Sequence, residues 1–308
     1  MEVIIMNGNQ ITAKTSSSLK WSTITEIMAK LITPIVSIIL TKLIAEEFFG
    51  IVSSILMLIT LMEVFSAYGF CNAVIQKKFK DEAAMKKAQN VAFTVNACLS
   101  IILFIILLIA SEPLTVLMVN DVKYQLAFIV LATQIVIFGF KSVPEAVLKR
   151  LFQFKRLFII RIITALSSLL IAVPLAFVLP NELKFWAIVI SAVAPELLKM
   201  MLLFTISKLK IRFEFSKLVF KELLGFSMFN LLGGIIVWAI SWVDFFFVSF
   251  SFDAASAGEY RQPIIQLVQI FSLVEAAVLP VALSALARLK NNKEELARVF
   301  YRFQQITA

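Results

Sequence analysis

The residues that could do chemistry in this chain are charged side chains set inside long apolar runs. Glu26 and Lys30 stand four apart in the first run, and Glu63 sits near the middle of the second. Arg161 lies one turn inside a later run, Glu196 and Lys199 are three apart in the next, and Asp244 and Glu275 fall in the last two. A charge at the centre of a bilayer costs about 2.5–3.5 kcal/mol on insertion scales, so such residues face a protein interior or a watery cavity and mark ion or substrate pathways. Two residues four apart on a helix share a face. Glu26 and Lys30 therefore either neutralise each other to lower the insertion cost or present one face to an aqueous cavity. Glu63 has no local partner, which leaves pairing with Lys30 across a hairpin, or capture of a proton or cation. Glu196 and Lys199 read as a local pair, and Arg161 as a snorkelling side chain reaching the headgroups.

The chemistry open to these groups is binding and transfer of ions. The chain has no histidine, which removes imidazole acid–base work and imidazole metal ligands. Cys71 and Cys98 each lie within an apolar run and read as small core residues, not as a disulfide or a metal pair. There is no glycine-rich phosphate loop, no paired aspartates and no nucleophile–base set. These absences argue against an enzyme and towards transport, with no cofactor and a proton or sodium gradient as the candidate driving force.

The elements that must carry these charges are membrane helices. Sixty per cent of the 308 residues are hydrophobic, and the mean hydropathy is +0.93. The apolar runs are about 20 residues long, enough at about 1.5 Å per residue to cross a hydrocarbon core of about 30 Å. Barrel strands would be about half that length and would alternate. Eight spans are expected, near 21–44, 51–75, 90–110, 125–143, 157–179, 185–206, 224–250 and 263–286, with Glu46–Gly50 as a tight turn between the first two. Prolines at 34, 174, 195 and 280 fall inside spans and suggest kinks.

Lysine and arginine cluster in every second connection. The connections after the second, fourth, sixth and eighth spans carry five each, counting Lys141 at the end of the fourth span, and the others about one each. This bias places the N-terminus and the even connections in the cytoplasm. It also accounts for the net charge of +9 without a nucleic-acid partner. The first residues lack a signal-peptide pattern, so the first span is expected to act as its own insertion signal. Residues 207–223, where basic and aromatic side chains interleave, suit an interfacial amphipathic linker. The expected organisation is a six-helix bundle over 1–206, that linker, and the start of a second bundle over 224–308.

Three stretches resemble a known family. The first is the opening hairpin, with Lys42-Leu43, Phe49-Gly50, Tyr68-Gly69 and Ile75-Gln76-Lys77. The second is PEAVLKRLFQFKRL, from Pro144. The third runs from LLGFSMFNLLGG through AGEYRQP to LARLKNN, with Asp244 and Gly258-Glu259-Tyr260 at characteristic places. In order and spacing these are similar to the Wzx-type polysaccharide flippases of the MOP (MATE-related) exporter superfamily.

The resemblance implies an all-α integral membrane fold with two six-helix bundles around a central cavity worked by alternating access. It also implies movement of undecaprenyl-pyrophosphate-linked oligosaccharide across the bacterial cytoplasmic (inner) membrane for O-antigen, capsule or exopolysaccharide synthesis. The implied partners are the lipid-linked oligosaccharide and membrane lipid, with a polysaccharide polymerase and chain-length proteins as candidates. Family members have twelve or fourteen helices, so eight spans lead to the expectation of a fragment or a truncated product. In this frame Glu26, Lys30, Arg161 and Lys199 are candidates for the substrate cavity, and Glu63, Asp244 and Glu275 for ion coupling. The alternatives are a multidrug or small-molecule exporter of the same superfamily, which needs an acidic, aromatic-lined pocket, and a membrane-embedded glycan polymerase or transferase, which needs a large loop or a metal motif.

Overall fold

The computed structural model describes residues 31–288, apart from 78, 152 and 208–210. Glu26 and Lys30 lie outside the described residues. Helix follows helix in chain order: α1 (Leu31–Leu43), α2 (Glu46–Gln76), α3 (Glu82–Ile109), α4 (Ser111–Val119), α5 (Gln125–Arg150), α6 (Phe154–Val178), α7 (Phe185–Ser207), α8 (Lys217–Ser251) and α9 (Ala254–Arg288). Short 3-10 turns at Val122–Tyr124 and Asn181–Leu183 lead into α5 and α7. No strand occurs among the described residues.

Several boundaries differ from those the sequence suggests. Glu46–Gly50 is the first turn of α2, and the reversal is confined to Ile44 and Ala45. The two carboxylates fit there because acidic side chains complement a helix N-terminus. The segment after the third span, expected as a loop, forms α4 and is closed by Asn120 in the left-handed conformation, φ 60°. The basic connection after the fourth span is mostly helix, since α5 runs on through Pro144 to Arg150. Residues 211–216 are extended, and Lys217 already opens α8. At 35 residues, α8 and α9 would each reach about 52 Å, well beyond a hydrocarbon core of about 30 Å.

α2 is the central post. Its face carrying Ile51, Ile55 and Ile59 packs with Phe128, Leu131 and Ile135 of α5 and Val189 of α7. Its C-terminal half, through Phe70 and Val74, meets Val91 and Phe93 of α3 and Val147 of α5. α1 packs on α6 and α7 through Val36, Leu40, Ala172 and Ala187. α8 and α9 close on the other side of α2, with Phe245 and Ala257 against Met57. On the perimeter the polarity is inverted relative to a water-soluble protein. Ile102, Ile106 and Ile109 of α3 and Phe229 and Ile240 of α8 are exposed. A ring of exposed branched and aromatic side chains on helices is what a hydrocarbon solvent selects, because only the backbone must be satisfied internally.

The two ends of the bundle differ in charge. At one end Lys77 pairs with Glu222 at 2.7 Å, tying the end of α2 to the start of α8. The extended segment is pinned to α3 there: Asn90 donates to Glu214 at 2.9 Å, and the Arg212 and Glu214 amides donate to Asn90 and Thr94 at 3.1 and 2.9 Å. At the opposite end Lys184 donates to the Leu43 carbonyl at 3.1 Å, and Glu46, Glu47, Asp121, Glu182 and Asp253 gather in the turns.

Arg150 fastens the basic end. Its Nη1 donates to the carbonyls of Val74, Ile75 and Lys77 at 2.8, 3.0 and 2.8 Å, and its guanidinium lies 4.9 Å from the Phe79 ring. The last carbonyls of a helix have no intrahelical partner, so this side chain caps α2 from α5. Arg150→Ala is expected to cost about 2–3 kcal/mol, as charge-assisted hydrogen bonds do. Hydrogen exchange over residues 70–77 should speed up selectively, with Arg150→Lys intermediate. Unchanged exchange there would show that water replaces the guanidinium without loss.

Candidate substrate cavity

A cavity of about 270 Å³ with charged side chains in its lining is walled by α2, α5 and α7. On α5, Lys141, Glu145 and Lys149 recur at four-residue intervals and so share one face. On α7, Lys199 completes the charged wall, while Cys71, Asn72 and Ile75 of α2 supply the opposite one. Three lysines therefore line the cavity with one glutamate.

The charges are knitted across helices. Glu145 holds Lys149 at 2.9 Å along α5 and Lys199 at 2.9 Å from α7. Lys141, only 6% exposed, pairs with Glu196 of α7 and lies 4.8 Å from the centre of the Phe138 ring. The expected local pair of Glu196 and Lys199 is thus not what forms: each reaches across to α5. The physical reason is that α5 and α7 pack side by side, so the cross-helix partners come within ion-pair distance. Both glutamates directly follow a proline, Pro144 and Pro195, inside a continuing helix. A proline has no N–H to give the carbonyl four residues back, so each helix lacks one internal hydrogen bond beside the charges. Asn96 of α3, fully buried, steadies the wall by donating to Ser142 at 3.1 Å and towards the Cys71 sulfur at 3.6 Å.

A second cavity, of about 240 Å³, lies beside the first between α2, α5 and α8. Glu63 lines it, together with Thr60, Trp238 and Ser241, and Phe138 borders both cavities. Lys141 and Glu196 are the charges that act on Glu63. Trp238 is fixed by its indole N–H, which donates to the Met57 carbonyl at 3.1 Å and to Thr60 at 3.2 Å.

The structure therefore brings Lys199 and Glu63 into one neighbourhood with Lys141, Glu145 and Glu196. Arg161 is half-buried on α6 and lines neither cavity. Asp244 is exposed on α8 and accepts from the Tyr260 hydroxyl of α9 at 3.0 Å. Glu275 belongs to α9, and its side chain is outside the described residues. Lys141, at the edge of the fourth span, and Glu145 and Lys149 beyond it were hidden in a stretch that read as a basic connection. Their four-residue spacing was the signal that could have placed them on a helix face. Cys71 lines the cavity and packs against the core between α2, α3 and α5, whereas Cys98 is exposed at the perimeter and is not the core residue expected; both are free thiols. Among the described residues no group of acidic or thiol side chains could hold a metal ion.

Six described helices are long and apolar enough to cross a membrane, and a charged cavity lies among them. The protein is an all-α, multi-pass integral membrane protein. Residues 39–308 match the family model described as polysaccharide biosynthesis protein, and the chain belongs to that family. It is thus a membrane transporter of polysaccharide biosynthesis. Comparison with curated proteins and with solved structures finds no match.

Proposed function

We propose that this protein moves an oligosaccharide linked through pyrophosphate to undecaprenol across the bacterial cytoplasmic membrane, with its N-terminus in the cytoplasm. The observation that carries the reading is the cavity in which Lys141, Lys149 and Lys199 stand around a single lining glutamate. Desolvating a phosphate without partners is prohibitive, and ammonium groups inside the helix packing replace its hydration while the lipid tail stays among the apolar perimeter side chains. The basic end of the bundle faces the cytoplasm, following the bias of lysine and arginine. No bond is made or broken in this role, so the protein acts as a transporter and not as an enzyme.

Glu63 couples the cycle to an ion gradient. It borders the neighbouring cavity, and Lys141 and Glu196 link it electrostatically to the lysine cavity. Moving one proton or sodium ion across the membrane potential supplies about 2.3 kcal/mol per 100 mV. Glu145 and Glu196 occupy the lysines when no substrate is bound, so an arriving pyrophosphate competes for cations that are already in place.

The test is export in cells. The double variant Lys141→Ala/Lys199→Ala is expected to lower surface polysaccharide by about tenfold or more and to accumulate lipid-linked oligosaccharide on the inner leaflet, while membrane insertion is kept. That loss corresponds to at least about 1.4 kcal/mol of interaction. Normal surface polysaccharide in this variant at normal protein level would reject the lysine cavity as the binding site.

A further inference from the structure

A larger cavity, of about 500 Å³, opens at the acidic end of the bundle, between the α1–α2 reversal and the 3-10 turns before α5 and α7. Its size is within the about 300–1,000 Å³ usual for ligand clefts. It is separated from Lys141 by about 25 Å along α5, counted from Tyr124 at 1.5 Å per residue, so it is not part of the lysine cavity.

The wall is aromatic and fixed. Phe185 stands at the centre, with ring centroids 5.8 Å from Phe48, 5.2 Å from Tyr124 and 5.1 Å from Trp186. Phe185 and Tyr124 are buried, while Phe48 and Trp186 keep part of their rings open. The indole N–H of Trp186 has no acceptor among the described residues. The rim carries Glu47 and Glu182, both exposed, and neither forms an ion pair with a described residue. The rim cation is already engaged: Lys123 pairs with Asp121 at 2.9 Å and lies 4.7 Å from the Tyr124 ring centre.

This combination selects by chemistry. A phosphate would meet two carboxylates and no spare cation. An acyl chain would meet two charges. A neutral sugar ring satisfies both features: its C–H face packs on the flat aromatic wall, its hydroxyls donate to the carboxylates, and a ring oxygen accepts from the indole. We infer that the aromatic cavity bounded by Phe48, Phe185, Trp186, Glu47 and Glu182 is a saccharide-binding site for the glycan portion of the cargo, distinct from the lysine cavity. It rests on the proposed function for its place in the cycle, since it lies at the end assigned to the outer face and would receive the sugars as they leave.

The experiment uses the full chain in lipid nanodiscs and the oligosaccharide freed by mild acid from the lipid-linked pool of the expressing cells, so that no lipid is present. Calorimetry is expected to show binding to the unaltered protein. Affinity should fall about tenfold or more in Trp186→Ala, be largely kept in Trp186→Phe, and fall again in Glu47→Gln/Glu182→Gln, where the exposed side chains leave folding intact. Saturation-transfer NMR should place the sugar protons against aromatic protons. Binding that is absent, or equal in all variants, overturns the inference and leaves the aromatics as an interfacial belt. Tetraphenylphosphonium binding here without sugar binding overturns it in favour of a lipophilic-cation site. Export by the Lys141→Ala/Lys199→Ala variant reports on the interior site separately, so the two readings fail by different observations.

Discussion

Replacing Glu145 by alanine should be the most damaging single change in the interior. Its carboxylate is 15% exposed and bridges Lys149 and Lys199, each at 2.9 Å. Truncation leaves two ammonium groups facing each other with no anion between them. Breaking a buried pair from one side costs about 3–5 kcal/mol, because the remaining charge stays desolvated. The lower end applies here, since Lys149 is 39% exposed and water can reach it. The unfolding midpoint in denaturant should therefore fall clearly in Glu145→Ala, and Glu145→Ala/Lys199→Ala should recover part of the loss. Recovery is the diagnostic feature, because it separates charge imbalance from simple loss of packing. If the double variant were as unstable as the sum of the two singles, the three groups would not be acting as one ion network.

Gly50→Val should have the second large effect, by parting α2 from α9. A Cβ at Gly50 would overlap the Ala254 carbonyl, and one at Gly258 would overlap the Glu46 carbonyl. The contact is reciprocal and backbone to backbone, so no flexible side chain can yield. Small residues allow such close helix crossings inside membranes, where dispersion and not hydrophobic burial holds helices together. Overpacking of this kind costs about 1–3 kcal/mol. Amide exchange over residues 254–262 should accelerate about tenfold or more, with Gly50→Ala showing a smaller rise. Unchanged exchange in Gly50→Val would mean that the two helices do not cross at these glycines.

Much of the architecture was legible in the sequence because the bilayer enforces it locally. A run of about 20 apolar residues must be helical whatever surrounds it, since its backbone can bond only to itself. Hence the second to seventh spans could be read directly, as could the sorting of basic residues to alternate connections. Connections were read less well, for a related reason. Apolar Leu114, Leu117 and Val119 gave α4 no length to stand out, and the basic stretch around Pro144 read as a connection where α5 continues. A proline stops an isolated helix, but neighbouring helices hold this one together.

The charged site shows the limit most clearly. Lys199 and Glu63 were conspicuous because each is a charge inside an apolar run, and the sequence by itself determined that they needed partners or water. Which partners they have is a property of packing. Glu145 and Lys199 are far apart in the chain, as are Lys141 and Glu196, and only the side-by-side placement of α5 and α7 on α2 brings them together. The aromatic cavity is likewise gathered from three separate turns. Composition and spacing thus determined the solvent of this protein and the helices it must use. Tertiary structure alone decided which charges neutralise each other, because ion pairing depends on distance in space, and helices that are remote in sequence set that distance.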